Sequence, residues 1–267
     1  MEVDEMTHPI FDRPEVLRVL FHPRRDNSMT PKGVHSVAVE VEPGVSVRGR
    51  LYPAAPDSPA ILYYHGNGEI AADYDNIAGL YNQLGITLLA MDYRGYGASD
   101  GKPTASNMIG DAAIAFNAIG SIFESYGLHP QRLYVMGRSL GSAVAIEIAS
   151  IAGVSPAPQQ RLAGLIIESG FADSLALLAR MGVQIQGADE NKDGIGNVLK
   201  VSRIKIPTLI IHGQEDKLIP VAQGLVLYRF CAAQDKLLVL IPGAGHNDLM
   251  MVGTAQYFEA IRTFIFP

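Results

Sequence analysis

Six short, almost unbroken apolar runs, at 61–64, 87–91, 133–136, 165–167, 208–211 and 236–241, limit most strongly what this chain can become. A strand with one wet face alternates apolar and polar residues. A strand covered on both faces has no polar side to show, so these runs read as strands of a parallel sheet buried beneath helices. Helix-like stretches separate or follow them at 72–84, 106–126, 142–151, 222–231 and 257–264. Upstream, 34–42 and 45–52 alternate around Pro43-Gly44 like the arms of a β-hairpin. An antiparallel opening followed by repeated strand–helix units predicts an α/β protein with a mostly parallel central sheet flanked by helices. The length of 267 residues suits one such domain, with 1–33 as an N-terminal extension. One connection breaks the rhythm: 170–206, between the sixth and seventh strands, is long and carries a polar, glycine-rich stretch at 189–196. Connections of that length are usually functional, and this one is expected to form a small cap or lid.

Composition removes several function classes. Hydrophobic residues make up 48% and charged residues 18%, the opposite of the balance that keeps a chain disordered. The formal charge is −6 and the basic residues are scattered, so no nucleic-acid partner is expected. The single cysteine, Cys231, excludes an intrachain disulfide. The acidic opening residues precede no long apolar run, unlike a secretory signal, and no stretch has the roughly 18 consecutive apolar residues of a membrane span. The expectation is a cytoplasmic protein without stable membrane insertion.

Gly137-Arg138-Ser139-Leu140-Gly141 follows the third of the apolar runs and precedes a helix. A G-x-S-x-G pentapeptide is weak alone and strong in that setting, where a sharp strand-to-helix turn lifts the serine hydroxyl clear of the sheet. The glycines admit the tight turn, and the helix N-terminus aims unpaired N–H groups at the reaction centre. A serine hydroxyl needs a base. Of seven histidines, His246 is best placed, in Gly243-Ala244-Gly245-His246-Asn247-Asp248 directly after the last strand. That base needs an acid to hold its tautomer, and Asp216, just after the strand at 208–211, is the preferred residue. Glu215 is its neighbour, and Glu168, closing the preceding strand, is the serious rival. The oxyanion donors are expected to be the backbone N–H groups of Leu140 and of Asn67, the latter in His65-Gly66-Asn67-Gly68.

These blocks resemble the α/β-hydrolase superfamily, and within it the Bem46-like and ABHD12/13/17-like serine hydrolases. The resemblance runs from about Val34 onward, through the oxyanion loop, Asp92-Tyr93-Arg94-Gly95-Tyr96-Gly97-Ala98-Ser99, the elbow, and the aspartate and histidine loops in that order. In the glycine-rich block, Asp92 and Arg94 read as residues that secure a loop rather than as catalysts. The depalmitoylating members carry an N-terminal cysteine cluster and the membrane-bound members an apolar anchor, and neither feature is seen here. The resemblance implies a Ser-His-Asp hydrolase acting on a small-molecule acyl substrate, an ester or thioester in preference to a peptide. Alternatives are a peptidase or amidase on the same triad and a non-catalytic binding member of the fold. That chemistry needs no cofactor, and no His/Cys group has zinc spacing. Asp189-Glu190-Asn191-Lys192-Asp193-Gly194 imitates half a calcium loop, but its twelfth position is Lys200 where a carboxylate is needed, so it reads as a solvated acidic turn.

Overall fold

The computed structural model describes residues 7–152 and 162–267; the acidic opening at 1–6 lies outside them. Two compact units are distinguished, one reaching to Leu133 and one beginning at Tyr134.

In the first unit the hairpin forms as expected, β1 His35–Glu42 antiparallel to β2 Val45–Tyr52. Along β1 the side chains alternate buried and exposed, the signature of one covered face. β3 Ala60–Tyr64 and β4 Thr87–Met91 are buried at every position, as continuous apolar runs require. β4 is parallel to β3 and antiparallel to β2, which gives the order β1-β2-β4-β3. Gly49 is where β2 meets β4 too closely for any side chain: a Cβ there would overlap Ala90 O and Met91 Sδ.

The stretch 72–84, expected as one helix, is divided. Ala71–Asn76 is a 3-10 turn and α2 is only Ala78–Gln83, after α1 at Pro14–Leu20, a helix the sequence reading did not assign. Side chains wind the turn tightly. Asp73 accepts from the Ile70 N–H at 3.1 Å, while Asp75 accepts from the Tyr52 hydroxyl at 2.8 Å and pairs with Arg50. α3 Ala105–Ser125 begins where Thr104 and Asn107 cap each other, Asn107 N donating to Thr104 Oγ1 at 3.1 Å and Thr104 N to Asn107 Oδ1 at 2.7 Å. Residues before β1 are tied to the same unit: Phe11, Val16, Leu20 and Phe21 are buried, and Arg24 pairs with Asp73 at 2.7 Å.

The second unit contains β5 Leu133–Arg138 from Tyr134 onward, β6 Leu162–Glu168, β7 Thr208–Gly213 and β8 Lys236–Ile241, in the order β5-β6-β7-β8. β6, β7 and β8 are parallel. α4 Gly141–Ala152 is apolar nearly all round and buried almost throughout, as a helix with no wet face must be. The 170–206 connection is not structureless. It holds α5 Ser174–Arg180, α6 Glu190–Asp193 and α7 Asn197–Val201. α8 Val221–Phe230, α9 Leu249–Val252 and α10 Thr254–Ile265 complete the chain.

Local bonds fasten the connection. Gln223 of α8 accepts from the N–H groups of Ala172 and Asp173, both at 2.9 Å. Glu190 turns inward to accept from Ser174 Oγ at 2.8 Å and Leu175 N at 2.9 Å, and its burial raises its pKa. Asp189 and Asp193 close their own turn, Asp189 N donating to Asp193 Oδ2 at 2.9 Å. Lys200, the cation at the twelfth position of the would-be calcium loop, reaches Glu147 of α4 at 2.6 Å.

Candidate active site

Three loops at the carboxyl ends of β5, β7 and β8 meet in the second unit. The first is the elbow. Ser139 sits at φ 52, a left-handed conformation uncommon for a residue with a Cβ, between the end of β5 and the start of α4. Gly137 permits the turn, since a Cβ there would overlap the carbonyl of Gly141. Ser139 N donates to Glu168 O at 2.9 Å, which pins the elbow to the end of β6. Leu140, buried, follows; its N–H has no acceptor among the described residues and stands beside the N-terminus of α4.

The second loop follows β7. Asp216 is nearly enclosed, and its Oδ1 accepts from Leu218 N at 3.0 Å and Ile219 N at 2.8 Å. His212 Nε2 donates to Ile219 O at 2.8 Å and lies 3.5 Å from Asp216 Oδ2. Burial lowers the His212 pKa, so its ring stays neutral and braces the loop. Arg180, at the end of α5, grips the far side through Leu218 O at 3.0 Å and Lys217 O at 2.5 Å. Glu215 is exposed and directs only its backbone into the assembly, Glu215 N donating to Ala244 O at 2.8 Å.

The third loop follows β8 and carries His246. Its Nδ1 lies 2.7 Å from Asp216 Oδ2 and its Nε2 lies 2.9 Å from Ser139 Oγ. A carboxylate can only accept, so Nδ1 carries the proton and Nε2 presents its lone pair to the serine hydroxyl. Hydroxyl, imidazole and carboxylate thus form one chain, in which a proton can pass to Nε2 while the opposite nitrogen stays bonded to Asp216. All three side chains are less than a tenth exposed. The rival acid, Glu168, is engaged elsewhere: Arg138 Nε is 3.2 Å from its Oε1, and the Tyr257 hydroxyl donates to its Oε2 at 2.7 Å.

Asn67 lies in the first unit, in the loop after β3. Its side-chain oxygen accepts from His22 N and from the Tyr96 hydroxyl, each at 2.8 Å. Its own N–H has no acceptor among the described residues. Beside it His65 is fully buried, with Nδ1 2.8 Å from Gly66 O and Nε2 3.2 Å from Asp92 Oδ1, a charge pairing off the hydrogen-bonding direction. Burial pulls the His65 pKa down, but Asp92 outweighs it and the net shift is upward. Asp92 also accepts from Ala71 N at 2.8 Å, and Arg94 forks onto Asp111 at 2.6 and 2.7 Å. These contacts anchor the loop.

Sequence reasoning passed over Arg138, His212 and Tyr257. The signal for Arg138 was available as a lone cation inside an otherwise small and apolar elbow. Its partners, distant in the chain, were not.

A family model described as serine aminopeptidase, S33, matches residues 55–186. Alpha/beta hydrolase domain-containing protein 17B of Homo sapiens is 31% identical over 213 residues, covering 77% of this chain and 65% of that protein. The Caenorhabditis elegans protein aho-3, an alpha/beta hydrolase domain-containing protein, is 32% identical over 208 residues, covering 77% and 57%. The chain is similar to these α/β hydrolases over 77% of its length and has the α/β-hydrolase fold. Solved structures agree on the fold: esterase Pf2001 of Pyrococcus furiosus superposes with a TM-score of 0.72 at 20% identity, covering 91% of this chain and 97% of that one. A monoacylglycerol lipase of Paleococcus ferrophilus gives 0.59 at 19%, covering 87% and 98%. The chain spans less than two thirds of the length of these two curated relatives. No helix among the described residues is long and apolar enough to cross a membrane.

Proposed function

We propose that this hydrolase cleaves a carboxylic ester or thioester through a covalent acyl-enzyme on Ser139. The observation that carries the reading is the continuous hydrogen-bonded chain from Ser139 Oγ through His246 to Asp216, at 2.9 and 2.7 Å. His246 Nε2 takes the hydroxyl proton as Oγ attacks the substrate carbonyl, and Asp216 stabilises the imidazolium that forms. The tetrahedral oxyanion is held by the Leu140 N–H and, in this proposal, by the Asn67 N–H. Imidazolium then protonates the leaving alcohol or thiol as the acyl–oxygen or acyl–sulfur bond breaks. Water, deprotonated by His246, releases the acid and restores the serine. No cofactor enters the cycle.

Ester or thioester chemistry is supported by the esterase and lipase among the structural neighbours, which is analogy at the level of fold. The segment 170–206 is the cap in this proposal and sets acyl length, because Arg180 at the end of α5 holds the backbone beside Asp216. A second reading, an amidase or aminopeptidase, is favoured by the description of the matching family model. Parallel assays on p-nitrophenyl acyl esters of increasing length and on aminoacyl p-nitroanilides separate the two.

The central test is labelling with a fluorophosphonate probe. The parent protein should be labelled and Ser139→Ala should not. Equal labelling of the variant would remove Ser139 from the nucleophile's role.

A further inference from the structure

Arg138 occupies the variable position just before Ser139, yet its guanidinium points across the site toward the histidine loop. One Nη2 nitrogen donates to the His246 carbonyl oxygen at 2.7 Å and to Asn247 Oδ1 at 3.1 Å. Its Nε faces Glu168 Oε1 at 3.2 Å, and Glu168 is held in turn by the Tyr257 hydroxyl from α10. Arg138 is 9% exposed, Glu168 2% and Tyr257 0%. Burying an ion pair this deeply costs desolvation that an apolar side chain would avoid, so the pair contributes little to stability by comparison. Its geometry is what an apolar residue cannot supply: one planar fork bridges the end of β5, the end of β6 and the loop after β8.

We infer that Arg138 is a positioning residue that holds His246 in register with Ser139, and that Glu168 and Tyr257 hold Arg138 in place. The inference rests on the proposed reading of His246 as the general base. The loop it steadies contains Gly243 and Gly245; besides the His246 ring's bond to Asp216, its anchors include Glu215 N to Ala244 O at 2.8 Å and Gly245 N to Asp248 Oδ1 at 2.6 Å. Neither of these two backbone anchors involves the backbone of His246, whereas Arg138 bonds that residue's own carbonyl. Glu168 binds the elbow twice, through its carboxylate to Arg138 and through its carbonyl to Ser139 N at 2.9 Å. A lysine places a point charge there and cannot serve both partners.

Steady-state kinetics on a p-nitrophenyl acyl ester, normalised to folded protein by circular dichroism, test the assignment. Arg138→Met should lose about 10²-fold in kcat, because a misplacement of roughly 1 Å costs that much. KM should change by less than about threefold, the pattern of an interaction used in the transition state alone. Arg138→Lys should recover about tenfold of the loss by restoring one of the two contacts. The low-field proton resonance of the His246 Nδ1–H···Asp216 bond should broaden or shift in Arg138→Met, which a purely structural role would not produce. Tyr257→Phe covers the case in which Arg138→Met fails to fold, and should lower kcat about three- to tenfold at constant KM. A kcat within about twofold of the parent in either folded variant would overturn the inference. His246→Ala separates the two levels. If it keeps the parent rate, the functional reading itself falls. If it is inactive while Arg138→Met matches the parent, the positioning role alone is lost.

Discussion

At the scale of single residues, the sharpest question is which carboxylate serves His246. Glu168 closes β6 and Asp216 follows β7 in one parallel array, so the sequence prefers Asp216 but leaves Glu168 as a serious rival. Asp216 Oδ2 is 2.7 Å from His246 Nδ1, while the oxygens of Glu168 face Arg138 and Tyr257. Asp216→Asn should therefore lower kcat by about 10⁴-fold, since an amide at that position favours the wrong tautomer. Glu168→Gln should cost about tenfold, acting only through Arg138. The measurement is single-turnover acylation with a chromogenic ester. A larger loss in Glu168→Gln than in Asp216→Asn would reverse the assignment. The elbow was legible from residue types alone, because a left-handed serine at φ 52 and a Gly137 with no room for a Cβ leave few other sequences possible. The partners of Arg138 were not legible, because a long side chain reports its charge in sequence and its direction only in space.

Among elements, the 170–206 connection shows why short helices escape pattern reading. α6 and α7 are too brief to display a full apolar stripe, and what stabilises them is tertiary. Asn197 Nδ2 donates to Phe171 O at 2.9 Å, Val201 is buried, and Lys200 reaches Glu147 at 2.6 Å. Glu147 lies on the fully covered face of α4, about two turns beyond the elbow, so α7 is fastened to the helix that follows the nucleophile. Lys200→Met should destabilise the protein by about 3 kcal/mol, because it leaves a buried carboxylate without its cation. The double variant Lys200→Met, Glu147→Met should regain most of that loss, as apolar replacements of buried ion pairs often do. Urea unfolding of the three proteins checks both statements, and a single variant as stable as the parent would show the pair to be idle. The divided stretch 72–84 has the same origin: Asp73 and Asp75 answer to Ile70, Arg50 and Tyr52, contacts that helical periodicity does not encode.

For the molecule as a whole, two buried histidines pull the pH dependence of stability in opposite directions. His65, raised above its usual value near 6.5 by Asp92 against the effect of burial, binds its proton more tightly folded than unfolded. Its contribution is complete below about pH 6.5 and is lost as pH rises through the higher folded value. His212, lowered by burial, does the reverse: its contribution is present above about pH 6.5 and is lost as pH falls. His65→Gln should therefore lose more stability at pH 6 than at pH 9, compared with the parent by denaturant unfolding. An equal loss at both values would mean that His65 is neutral when folded.

What the chain determines by itself is local or periodic: strands with two covered faces, the hairpin, the long helix α3, and the glycine-bounded serine with its histidine and aspartate loops after later strands. Such features follow from which faces must be dry and which turns a backbone can make. Only the tertiary structure decided that Asp216 rather than Glu168 meets His246, that α7 is clamped to α4, and that Arg138 crosses from the elbow to the histidine loop. Those choices join residues 30 to 109 positions apart, and they depend on where side chains converge once the strands are in register. Direction in space is a property of the assembled fold, and residue order alone does not carry it.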